Sequence, residues 1–202
     1  DAHIVVAGAG GLGSPVAIYL AVAGVGRLTL IDQDTVALTN LNRQVLHGEA
    51  DIGRPKVESG VETLRALNPS IRVVLKLVAQ ERGIPLLHGA IRGFHGQATT
   101  CVPGRGPCLA CLFPNVPPKE VFPVVGATPG VIGCIQATEI LKLALGRGDS
   151  LVGRLMLFNA LDMKFRELKL RRDPQCPICG ENPSIRELID YEQFCGIEPE
   201  PL

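Results

Sequence analysis

The chain has 202 residues, 20 basic and 20 acidic side chains, and is 46% hydrophobic but only 4% aromatic. A neutral chain without a basic tract offers no electrostatic case for binding nucleic acid or a membrane surface. At roughly 100–200 residues per domain, residues 1–202 are expected to form a single domain around one core. Seven cysteines and no secretory signal pattern point to the cytosol, where closely spaced cysteines bind metal more often than they form disulfides. The nearly charge-free run 121–138 approaches membrane-spanning length, but its prolines and glycines fit a buried strand and helix entry better.

Residues 3–7 read as a strand that runs into Gly8-Ala-Gly10-Gly11-Leu-Gly13, and a second apolar run ends at Asp32. This order of strand, glycine turn, helix, strand and acid describes a nucleotide site. Gly8 permits the tight turn, Gly10 lets the backbone approach phosphate, and Gly13 lets the helix pack on the strand. The helix offers unpaired N–H groups to an anion, and Asp32 is placed to accept from a ribose hydroxyl.

The first helix is expected over 12–23, with Val16, Leu20 and Ala23 facing inward. Strand two follows over 27–32. Pro55 opens a second helix whose inward positions are Val57, Val61, Leu64 and Leu67. Strand three covers 71–77. Only about seven residues then precede the next apolar run at 85–89, too few for a parallel crossover of a dozen or more. Either these strands are antiparallel or a segment is absent between Lys76 and Val78; absence is the favoured reading. A strand at 97–102, a buried helix at 129–145 and a closing strand pair at 154–158 and 164–170 follow. A helix at 184–194, capped by Ser184 with Glu187, ends the pattern. The fold class expected is α/β: a Rossmann-like, mainly parallel sheet with flanking helices, C-terminal antiparallel strands and a four-cysteine zinc knuckle.

The polar stretch after strand two holds Asp34, Asn40, Arg43, Gln44 and Lys56. Adenylyl transfer needs cations at the phosphates, and Arg43 and Lys56 are placed to supply them. Cys108-Leu-Ala-Cys111 and Cys176-Pro-Ile-Cys179 are two C-x-x-C knuckles, the ligand set of a tetrahedral structural zinc. A redox pair is the rival reading and leaves one knuckle unexplained. Cys134 and Cys101 are expected to be buried, inert thiols. Cys195 is unassigned, His88 and His95 are read as structural groups, and His3 and His47 belong to no constellation.

Taken with Gly8–Gly13, the strings Asp32-x-Asp34, Asn40-Leu-Asn-Arg43-Gln44 and Gly53-x-Pro-Lys56 closely resemble the ATP site of the MoeB/ThiF/HesA family. The likeness extends through Gly89–Gln97, Gly106–Pro114, Pro129–Gly133 and Arg171–Gly180. The resemblance implies an adenylyltransferase that uses ATP and Mg2+ to adenylylate the C-terminal glycine of a ubiquitin-like sulfur-carrier protein ending in Gly-Gly. It also implies a structural Zn2+, a homodimer, and sulfur transfer in molybdopterin or thiamine synthesis. By that resemblance Asp32 holds the ribose, and Asn40, Arg43 and Lys56 hold the phosphates. Three family elements have no counterpart: an N-terminal helical segment bearing an arginine, an Asp-Cys-Thr-Asp-Asn-like strand end after strand three, and a cysteine-bearing crossover loop near Glu120–Val121. Either the 202 residues are the ordered part of a longer chain, or the segments are deleted and the protein is an inactive relative. A following rhodanese domain is also consistent with the resemblance. Two rivals stand beside this reading, a non-catalytic zinc-bearing adaptor of the same fold and an NAD-dependent oxidoreductase.

Overall fold

The computed structural model describes residues 2–75, 84–114 and 123–185. Three parallel strands, β1 (His3–Ala7), β2 (Arg27–Ile31) and β3 (Arg72–Leu75), form one sheet in the order β1-β2-β3. Helices α1 (Gly13–Val22) and α2 (Lys56–Leu67) connect them. Apolar alternation explains this half: Ile4 and Val6 of β1 and Leu28 and Leu30 of β2 share one face. They pack there on Val16, Ala17 and Leu20 of α1 and on Val61 and Leu64 of α2. Asn68 ends α2 in an extended conformation, with its side-chain amide donating to the Ala21 carbonyl at 2.7 Å.

A second, antiparallel sheet holds β4 (Leu86–Arg92), β5 (His95–Cys101), β6 (Arg154–Asn159) and β7 (Lys164–Lys169) in that order. A one-turn helix, α3 (Leu109–Leu112), follows β5, and the long helix α4 (Ala127–Leu145) follows it. Helix α4 joins the halves, with Ile140 in the first core and Ile132 in the second, beside Ala98, Leu151 and Phe158. Gly96 of β5 allows this, since a Cβ there would run into Ile132. The buried Glu139 ties α4 down. Its carboxylate accepts from the Thr100 hydroxyl at 2.8 Å and the Leu151 N–H at 2.6 Å and pairs with Lys142.

Several expectations need correction. Ala23 is exposed because it caps α1 rather than lying inside it, and Leu67, in the last turn of α2, is 47% exposed. Strands β3 and β4 are neither parallel nor antiparallel neighbours; they belong to different sheets, and β4 pairs with β5. Helix α4 begins at Ala127, two residues early, and Cys134 on it is half-buried rather than buried. Cys101 is buried as expected, and burial pushes its thiol up to about 11. The absent segments expected near 76–78 and 120–121, the body of the helix at 184–194 and Cys195 lie outside the described residues. Among those described, no helix is long and apolar enough to cross a membrane.

Candidate functional site

The glycine turn leaves β1 with Gly8 at φ 95°, a left-handed conformation that suits glycine. Gly13 opens α1 so close to the turn that a Cβ there would collide with the Gly8 carbonyl. The peptide at Ala9 is held from two sides. Its N–H donates to Asp32 Oδ2 at 2.7 Å, and its carbonyl accepts from His47 Nε2 at 3.0 Å and from the Ser14 hydroxyl at 3.3 Å. Since His47 Nε2 must carry the proton to donate, Nδ1 is the acceptor and receives a hydrogen bond from the Ser59 hydroxyl at 2.9 Å. Burial lowers the His47 pKa, which keeps this ring neutral.

Asp32 Oδ1 also accepts from the Asp34 N–H at 2.9 Å. Each carboxylate oxygen therefore uses one lone pair on the backbone and retains another for a ligand hydroxyl. Lys56, at the first position of α2, is buried and donates to Asp34 Oδ2 at 2.8 Å, while Asp34 is 61% exposed. Gln44 is buried beside Gly10, and its Oε1 has no hydrogen-bond partner. The stem of Arg43 lies against Gly11, and its guanidinium donates to the Thr39 carbonyl and to Asn42 Oδ1, both at 2.9 Å. The glycine turn, Asp32, Arg43 and Gln44 thus meet at one place, with the Asp34–Lys56 pair joined to it through Asp32. Asn40 differs: its side chain accepts from the Ala37 N–H at 3.2 Å and so serves its own turn.

His47 and Ser59 were missed by the sequence reading. An isolated histidine 38 residues from its partner carries no spacing signal. His3 likewise bonds Thr29 Oγ1 at 2.8 Å. His88 is half-buried against the Phe113 ring, with Nε2 unpartnered and its pKa lowered by burial, and is no part of the glycine-turn site. A cavity of about 490 Å³ lies elsewhere, on the antiparallel sheet between Arg92, His95, Asn159, Lys164 and Arg166.

The two cysteine knuckles come together as expected. The four Sγ atoms of Cys108, Cys111, Cys176 and Cys179 lie within 4.8 Å of one another, with contacts of 3.4 to 3.9 Å. A tetrahedral zinc with Zn–S bonds of about 2.3 Å has S···S edges of about 3.8 Å, so the spacing fits that ion. A disulfide, at about 2.05 Å, does not fit. Burial opposes the Cys176 thiolate, but the N–H groups of Cys179 and Ile178 and the thiols of Cys108 and Cys111 bring it down to about 7.

The sequence profile of the ThiF family matches residues 1–76 and 70–178. The chain belongs to the ThiF family. The SAMP-activating enzyme E1 of Haloferax volcanii is 42% identical over 98% of this chain and 87% of its own length. The sulfur carrier protein adenylyltransferase of Thermus thermophilus is 40% identical over 97% and 89%. Bovine adenylyltransferase and sulfurtransferase MOCS3 is 43% identical over 96% of this chain and 52% of its own. Escherichia coli MccB, solved with ATP, shares the fold with a TM-score of 0.80 at 21% identity, covering 89% of this chain and 67% of that one. The ThiF match is in two pieces that meet at residues 70–76. The alignment to the Haloferax enzyme is 238 positions long, so about 40 of its positions have no counterpart in these 202 residues.

Proposed function

We propose that this ThiF-family protein is an adenylyltransferase that joins AMP from ATP to the C-terminal glycine carboxylate of a ubiquitin-like sulfur carrier. The carrying observation is the fixed glycine turn. Asp32 and His47 hold the Ala9 peptide, so the turn meets a nucleotide without reorganising, and Asp32 keeps lone pairs for ribose hydroxyls. Arg43 stands beside Gly11 to neutralise charge on the phosphates as pyrophosphate leaves, and Lys56 does so by exchanging its Asp34 partner for phosphate. The carrier's carboxylate attacks the α-phosphorus, the bond to the bridging oxygen breaks, and the mixed anhydride forms. When bound with the triphosphate, Mg2+ would supply screening of its negative charge. Cys108, Cys111, Cys176 and Cys179 would hold a structural zinc. We further read the protein as a single domain, a homodimer and cytosolic, serving molybdopterin or thiamine synthesis.

The test is carrier-dependent ATP–pyrophosphate exchange. Arg43→Ala and Lys56→Ala are each expected to lower it by about 10² or more, the scale of one preorganised charge stabiliser. Arg43→Ala is the cleaner variant, because Lys56 is buried and its loss leaves Asp34 unpaired. Unchanged exchange in both removes their roles. The roughly 40 absent aligned positions favour one second reading, a non-catalytic zinc-bearing adaptor. ATP binding without exchange in the unaltered protein would establish it. The NAD-dependent reading is set aside because the relatives are named adenylyltransferases.

A further inference from the structure

Three residues of the loop before α2 meet three consecutive residues of the glycine turn in order. His47 Nε2 donates to the Ala9 carbonyl at 3.0 Å, Gln44 lies beside Gly10, and the stem of Arg43 lies against Gly11. A Cβ on Gly10 would stand 3.9 Å from Gln44 Nε2. The main chain holds this glutamine in place, since its N–H donates to the Asn40 carbonyl at 2.9 Å and its carbonyl accepts from the His47 N–H at 3.1 Å.

Its side chain is the exception in that row. Gln44 is only 5% exposed, its Oε1 is enclosed without a hydrogen-bond partner, and its Nε2 donates to no described residue. Gln136, whose Oε1 is likewise unpartnered, is tied at its other end to the Leu87 carbonyl at 3.2 Å. A side-chain amide offers two donors and an acceptor with two lone pairs. Enclosed with none of them used, it destabilises the fold unless something else satisfies it. Packing alone does not explain the residue, because a methionine of the same length would fill the space without that penalty.

The order of contacts says which ligand group Gln44 meets. Asp32 bonds the Ala9 N–H and keeps lone pairs for ribose hydroxyls, whereas Arg43 stands over Gly11 as the cation for the leaving pyrophosphate. Gly10 and Gln44 fall between them. In a nucleoside triphosphate the group between ribose and pyrophosphate is the α-phosphate, and the second glycine of such a turn is where backbone and phosphate approach.

We propose that Gln44 is a further catalytic residue, its Nε2 donating to a non-bridging oxygen of the α-phosphate. The assignment rests on the adenylyltransferase reading above. As the carboxylate oxygen bonds to the α-phosphorus, the bond from phosphorus to the bridging oxygen breaks and its electron pair leaves with pyrophosphate. The non-bridging oxygens stay anionic throughout, and the amide holds one of them without exchanging a proton. A neutral donor suits the position. An arginine or lysine there would also bind the incoming carboxylate, stabilising the ground state as much as the transition state.

The test is binding, followed by NMR of the 15N-labelled side-chain amides of the whole 202-residue protein with AMP and with adenosine, so it needs no turnover. AMP moves the Gln44 amide signal, identified by its loss in Gln44→Met, and adenosine leaves it in place. Gln44→Met weakens AMP at least 10-fold, the scale of one hydrogen bond to a charged group, and leaves adenosine affinity unchanged. Without ligand this variant melts at or above the wild-type temperature, because an apolar chain has replaced an unsatisfied amide. An unmoved Gln44 signal in the AMP complex, equal weakening of AMP and adenosine, or a variant that melts below the wild type overturns the assignment and leaves the nucleotide reading standing. Binding of neither ligand removes that reading and this assignment with it.

Discussion

Ala9 contributes no side-chain chemistry, yet three side chains fix its peptide groups: Asp32 on the N–H, and His47 and Ser14 on the carbonyl. Asp32 was legible in the sequence, because an acid at the end of the second strand is part of the nucleotide pattern. His47 was not, because its partnership with Ala9 exists only after α2 has brought Ser59 under the ring. Burial lowers the His47 pKa, although the Ala9 carbonyl opposes the shift, so the unfolded chain binds the proton more readily than the folded one. The resulting stability is complete above the unfolded value of about 6.5 and is lost as pH falls from there through the lower folded value. His88, also lowered by burial, acts in the same direction. The melting temperature is therefore expected to drop between pH 7 and pH 5, and His47→Gln to flatten that slope. A variant with the wild-type slope would take His47 out of the account.

At the scale of elements, period and punctuation located most segments, and tertiary contacts set their ends. The closing strand pair expected at 154–158 and 164–170 is realised in β6 and β7, paired antiparallel from Arg154↔Lys169 to Asn159↔Lys164. The start of α4 was read from Pro129, a residue favoured in the first turn, but the helix takes in Ala127 and Thr128 before it. The role of Glu139 was invisible, because its partners Thr100 and Leu151 sit on other segments. Removing it leaves a buried hydroxyl and a buried N–H without an acceptor. Glu139→Ala is expected to cost about 2–4 kcal/mol in denaturant unfolding. A loss below roughly 0.5 kcal/mol, ordinary for a surface change, would show those groups find other partners.

For the molecule as a whole, the two C-x-x-C motifs were readable because a ligand set survives any separation along the chain. The split into two sheets was not, because the short link after β3 was weighed only as an antiparallel connection or an absent segment, both of which presume that consecutive strands share a sheet. The four-cysteine cluster joins the segments after β5 and β7, both on the antiparallel sheet, while the glycine turn belongs to the parallel one. Each sheet has its own core, around Leu20, Leu28 and Leu64 in one case and Ala98, Ile132 and Phe158 in the other. Structural zinc sites contribute on the order of 10 kcal/mol to folding, so loss of the metal should be felt first where its ligands are anchored. Chelation, or Cys176→Ser, is therefore expected to raise hydrogen exchange in β5, β6 and β7 at least 10-fold while β2 stays protected. Because α4 packs on both cores, the opposite outcome is also well defined. Equal loss of protection in both sheets would mean that the two halves unfold as one unit and that zinc holds the nucleotide cleft as firmly as its own knuckle.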